Sequence, residues 1–171
     1  YEEEQMKQTV VPNRNAIFAS ILYGYALSIA TKNDTSVKIG LGVHSGDHEI
    51  YPDCRPEFYD ALEHAFQVGN WDSEKVSFYL PYLEGDKETI LMDAEKSLDK
   101  LNLDFDTIFA NTNTSYNPDE QGRSSGKSGA DIERILAFNA IGRKDPVPYV
   151  DDWSKVLEHA IKIEKEHKEK I

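Results

Sequence analysis

Cysteine is nearly absent from this sequence, which holds one, Cys54. A lone thiol excludes an internal disulfide framework and suits a reducing, cytoplasmic setting. Clusters of Lys and Arg are also missing. Nineteen basic residues stand against 31 acidic ones, for a net charge of −12. A phosphate backbone is normally met by clustered cations, so direct nucleic-acid binding is set aside for a small molecule or a protein partner. No long hydrophobic run is present either. The longest, Ala16 into Ala30, is broken by Ser20, Gly24 and Ser28, too short and mixed for a membrane span. No internal repeat is visible.

What is present suits one domain. The chain has 171 residues, 39% of them hydrophobic, with nine Tyr and seven Phe, so it can build a core. A helix is expected from Asn13–Asn15 to about Thr31, capped by Asn13 or Asn15, with Ile17, Phe18, Ile21, Leu22, Tyr25 and Ile29 on one face. Val37 to Val43 reads as a strand and Val76 to Leu80 as a second. Between them Pro56 opens a helix that ends near Gly69. Further helices are expected at Lys87–Asn102, at Asp131–Ile141 with Gly142 as its stop, and at Asp151–Lys170 with a solvated, charge-alternating tail. Phe105 to Asn117 is short and mixed, and Pro118 to Gly129 reads as a loop. Strands alternating with helices imply an α/β fold with a parallel sheet.

The stretch Gly42–Phe58 concentrates the chemistry: His44, Asp47, His48, Glu49, Tyr51, Asp53, Cys54 and Arg55 lie between a strand and a helix. Ligands in open α/β sheets bind beyond the carboxyl ends of strands. His44, Asp47, His48 and Glu49 are metal-ligating types, but their spacing matches no known ligand pattern, so substrate contact is the preferred reading. Cys54 is either a nucleophile activated before a helix or a small buried hydrophobe. Arg14, at a helix start where the dipole disfavours a cation, is either exposed or aimed at an anionic ligand. Lys87, at another helix start, can hold a phosphate as a point charge. Gly122–Ser128 imitates a phosphate loop but has three residues between its glycines instead of four, and no strand precedes it.

Tyr51-Pro52-Asp53-Cys54-Arg55-Pro56-Glu57-Phe58, with Gly42, Val43 and Asp47 before it, resembles the signature of the 7-cyano-7-deazaguanine synthase (QueC) family. Val11-Pro12-Asn13-Arg14-Asn15 resembles that family's Val-Pro-Gly-Arg-Asn, with Asn13 at the glycine. Pro81 and Lys87, and Gly142 through Pro146, also fall on family positions. The resemblance implies a three-layer, mostly parallel adenine nucleotide α-hydrolase-like fold of the PP-loop ATPase type. On it, residues 1–150 form the carboxy-terminal portion of the α/β domain and 151–171 a helical extension. The implied activity is ATP- and Mg²⁺-dependent conversion of 7-carboxy-7-deazaguanine and ammonia to the nitrile, by a homodimer. Asp47, Arg55 and Lys87 are then the candidate catalytic residues. Arg14, Asn15, His44, Tyr51 and Asp53 are the candidate substrate-binding residues.

Two departures stand out. The family's Ser-Gly-Gly-x-Asp-Ser pyrophosphate loop is absent, and it is expected upstream of Tyr1, in the same polypeptide or another chain. The four zinc cysteines of the family are replaced by Ser115, Ser125, Ser128 and Asp131, so zinc is not expected. The alternative reading is a repurposed or inactive relative that binds a deazaguanine or a protein partner in a phage or anti-phage system. A third is a nucleotide-binding α/β module for another carboxylate substrate.

Overall fold

The structure is a computed structural model, and it describes residues 10–44, 46 and 51–169. The chain divides into two compact units, Tyr1–Asp86 and Lys87–Ile171. Among the described residues, no helix is long and apolar enough to cross a membrane.

The first unit runs α1 (Arg14–Asn33), β1 (Val37–Gly40), a 3-10 turn (Pro52–Cys54), α2 (Pro56–Gly69), a second 3-10 turn (Ser73–Lys75) and β2 (Val76–Tyr79). β1 and β2 pair in parallel, with Val37 opposite Val76 and Gly40 opposite Tyr79. The pairing continues for one bond from Leu41 N–H to the Tyr79 carbonyl, at 3.0 Å. The parallel pairing agrees with the sequence pattern. The first strand stops at Gly40 rather than Val43, where β2 runs out as its partner. Among the described residues the sheet has two strands; these form one βαβ crossover rather than a wide sheet.

The apolar stripe of α1 is not the face that packs within this unit. Phe18, Ile21 and Tyr25 are 59%, 66% and 68% exposed. The packed face is the neighbouring one, Ala19, Tyr23, Ala26 and Ala30. Its small side chains bring the helix close to Ile39 and Val76. The Tyr23 ring then meets Phe66 of α2 at 4.4 Å between centroids, and Tyr59 meets Phe78 edge-on at 5.7 Å. Periodicity locates the helix and its large apolar stripe, and the face buried within this unit is the neighbouring one of three alanines and Tyr23. Asn13 precedes the helix at φ 59°, in the left-handed region. Glycine enters that region freely and asparagine more readily than other side chains. The same backbone is therefore open to Asn13 and to the glycine of the resembling motif. Neither Asn13 nor Asn15 caps α1 with its side chain.

The second unit contains α3 (Lys87–Leu101), α4 (Phe105–Ala110), α5 (Gly129–Ala140) and α6 (Trp153–Lys168). The helix α4 was missed in the sequence, where Phe105–Asn117 looked mixed. Its signal is Asp104, whose carboxylate accepts the Thr107 N–H at 2.7 Å as an N-cap. Leu91 and Leu98 of α3 pack with Phe105 and Phe138. Ile132 and Ile135 of α5 pack against Val156 and Ala160 of α6. Gly142 takes φ 72°. It ends α5 as expected, with the Arg143 N–H reaching back to the Phe138 carbonyl.

A buried ion pair joins α5 to the segment that follows it. The Arg134 guanidinium forks onto Asp145, with Nε at 2.6 Å from one oxygen and Nη2 at 2.9 Å from the other. The Asp145 side chain has no exposed surface. Its remaining capacity is filled by the Val147 N–H at 3.1 Å and the Tyr149 hydroxyl at 2.7 Å. Arg134 also donates to Thr112 Oγ1 and to the Phe109 carbonyl. Four of the five guanidinium N–H donors and both Asp145 oxygens are thereby matched, as a buried pair requires.

Burial, and then the charge of Asp145, push the Tyr149 phenol well above its usual range. A pKa raised in the folded state gives stability that is full below the unfolded value of 10. That stability falls as pH rises above it, by about 1.4 kcal/mol per pH unit. Tyr149→Phe is therefore expected to be less stable than the parent at pH 8. The gap should narrow by about 1.4 kcal/mol at pH 11. Urea unfolding at the two pH values checks this; a gap that does not change with pH would contradict it.

Candidate functional site

Two prolines shape the Tyr51–Arg55 stretch. Pro52 opens the 3-10 turn and Pro56 opens α2, and each supplies a preset φ where no N–H is needed. The turn closes through the Cys54 N–H to the Tyr51 carbonyl at 3.0 Å. Cys54 points inward and is 7% exposed. Tyr51 and Asp53 are half-buried and Arg55 is exposed. The thiol is thus packing, and the polar side chains lie toward the outside of the turn. This burial accords with the reading of Cys54 as a small hydrophobe.

Asn15 brings the two motif stretches together. From the first turn of α1 its Nδ2 donates to the Asp53 carbonyl at 3.3 Å and lies 3.8 Å from Cys54 Sγ. Arg14 begins the same helix and is half-buried. Residues 38 and 39 positions apart in sequence are therefore neighbours. A cation from each stretch, Arg14 and Arg55, then belongs to one region of the first unit. His44 follows β1 and is buried, at 6% exposure. Its Nδ1 accepts the Gly46 N–H at 3.2 Å, which requires that nitrogen to be unprotonated.

Asp47, His48 and Glu49 lie outside the described residues. Lys87 belongs to the second unit, where it begins α3 and its ammonium pairs with Glu133 of α5. Nothing in the sequence announced that partner, 46 positions away. Ser115, Ser125, Ser128 and Asp131 also belong to the second unit, and all four take part in hydrogen bonds within its loops. In the Gly122–Ser128 loop, the Gly126 N–H donates to the Asp131 carboxylate at 3.1 Å. This backbone donor already serves an anion inside the protein. That agrees with the rejection of a phosphate loop.

The family model for queuosine biosynthesis protein QueC matches residues 1–142. The chain belongs to the QueC family. It is 43% identical over 151 residues to a 7-cyano-7-deazaguanine synthase of Psychromonas ingrahamii, covering 88% of this chain and 61% of that protein. A Colwellia psychrerythraea relative, 7-cyano-7-deazaguanine synthase 1, is 42% identical over 149 residues, 87% of this chain and 61% of its own length. The 7-cyano-7-deazaguanine synthase of Caldicellulosiruptor saccharolyticus is 39% identical over 157 residues, 91% of this chain and 62% of its own length. This QueC chain therefore spans about six-tenths of the length of the curated relatives it matches. No solved structure gives a significant match.

The single cysteine makes the Asn15 junction measurable. Asn15→Ala removes a hydrogen bond with a net contribution of about 0.5–1.5 kcal/mol. Labelling of Cys54 by a thiol reagent in native buffer is expected to speed up about 2- to 12-fold. Ser20→Ala, on the exposed side of α1, should leave the rate unchanged. Equal rates for the parent and Asn15→Ala would show that the junction is not closed by this side chain.

Proposed function

We propose that this QueC chain carries the substrate-binding and acid-activating residues of a 7-cyano-7-deazaguanine synthase. The reaction is the ATP-dependent conversion of 7-carboxy-7-deazaguanine and ammonia to the nitrile. The observation that carries the reading is the Asn15 contact with the 3-10 turn at Asp53 and Cys54. It brings the two most characteristic stretches of the sequence into contact.

The chemistry asks for three things. The flat deazaguanine presents N–H donors, which Asp47 or Asp53 accepts, and a ring face on which Tyr51 stacks. Its carboxylate must be adenylated by ATP with release of pyrophosphate, so negative charge is present before the step and on the phosphate during it. Arg14 and Arg55 suit both, because a guanidinium fork matches carboxylate and phosphate. The acyl group then passes to ammonia, giving the amide and AMP. A second adenylation of the amide oxygen and loss of AMP leave the nitrile. His44 and Asn15 hold the loop and turn in place. Mg²⁺, when bound with ATP, would neutralise phosphate charge. The residues named here act by positioning and electrostatics.

The test is AMP and nitrile formation from ATP, Mg²⁺, ammonium and 7-carboxy-7-deazaguanine, beside calorimetric binding of the acid alone. With the pyrophosphate loop supplied, in the same polypeptide or another chain, AMP that depends on the acid, with nitrile product, is expected. Arg55→Ala should lower kcat/KM by about 10²–10³-fold. Tight binding of the acid without AMP would favour the repurposed-binder reading. Full turnover in Arg55→Ala would remove that residue from the mechanism.

A further inference from the structure

We infer that the Asp131 carboxylate, not a metal ion, is the cross-link that holds the loop between α4 and α5 in this QueC chain. The inference rests on the second unit alone and on the alignment of Ser115, Ser125, Ser128 and Asp131 with the family's zinc cysteines. Three hydroxyls and one carboxylate do not fit a structural zinc site, which takes thiolates and imidazoles. A disordered loop would be the simple consequence of losing the metal. The structure shows an ordered one with a different centre.

Asp131 is 1% exposed and sits in the first turn of α5, where the helix dipole favours an anion. Its Oδ2 accepts the Gly126 N–H at 3.1 Å and the Ser125 hydroxyl at 3.4 Å. Its own N–H donates to Ser128 Oγ at 3.1 Å, which caps the helix. Three of the four replaced positions are therefore tied directly to one another. The fourth is tied through neighbours. The Ser115 N–H donates to Asn113 Oδ1 at 2.8 Å, and the Ser124 hydroxyl donates to the same oxygen at 3.1 Å. Ser124 is fixed in turn by its N–H to the Pro148 carbonyl and its carbonyl to the Val150 N–H.

Shape locks the same knot. Gly126 has φ +74°, and a Cβ added there would lie 2.7 Å from Val156 Cγ1. Val156 is β-branched and buried on α6, so it cannot swing away cheaply. The loop backbone is thus pressed between Asp131 on one side and α6 on the other. The second oxygen of Asp131, Oδ1, is buried with no protein hydrogen bond. Its rival occupant is a cation, which makes the metal question experimental.

Metal content of the purified full chain is measured by native mass spectrometry. Thermal unfolding is followed with and without 1,10-phenanthroline, for the parent, Asp131→Ala and Ser125→Ala. We expect no stoichiometric metal and no effect of the chelator. Asp131→Ala should lower Tm by roughly 5–15 °C, and Ser125→Ala by a few degrees. Both variants should be cut faster by protease between Thr112 and Ser128. Stoichiometric metal whose removal lowers Tm would overturn the inference. So would an unchanged Tm in both variants. If Asp131→Ala does not fold, Ser125→Ala and the chelator series still decide. None of these readouts depends on the synthase reaction.

Discussion

A carboxylate with no solvent must have every lone pair answered, and that constraint organises the second unit. Asp145 is answered by the Arg134 fork, a backbone N–H and the Tyr149 hydroxyl. Removing one member of such a pair leaves an uncompensated charge, at about 3–5 kcal/mol. That magnitude is a large fraction of the stability of any domain. The chain ends of α4, the body of α5 and the segment leading to α6 must therefore meet at one point. Asp131, at the start of α5, meets the constraint through one oxygen only: Oδ2 is answered by the loop, and Oδ1 by no protein donor. There the partner is the loop itself, so local order comes from hydrogen bonds and a glycine that fits where nothing larger can.

The first unit solves a different problem with weaker forces. Its polar turn has to be held in register with the start of α1 while its outer side chains face solvent. Two prolines fix the turn, the buried thiol anchors it, and Asn15 reaches across from the helix. The Asn15 contacts are made by a neutral amide. Arg14 is half-buried at the start of α1 and Arg55 is exposed at the end of the turn.

Much of this was legible in the sequence. Helix bounds at Pro56 and Gly142 followed from the chemistry of proline and glycine, and the parallel pairing followed from strand–helix–strand order. The resemblance at Tyr51–Phe58 led to the family. What escaped was long-range or side-chain specific. The packed face of α1 is built from three alanines around Tyr23, and alanines carry little weight in a hydrophobic pattern. The helix α4 is only six residues long and is announced by one capping aspartate. Lys87 and Glu133, like Arg134 and Asp145, become partners only when separate elements pack. Asn15 read as a possible cap, because local sequence cannot show that its side chain reaches residue 53 instead.

The central claim is that a deazaguanine acid is held by Arg14–Asn15 together with Tyr51–Arg55. Hydrogen exchange of the full chain with and without 7-carboxy-7-deazaguanine tests it most directly. The account predicts added protection in both segments together, with α6 unchanged. Binding that protects neither segment would contradict it.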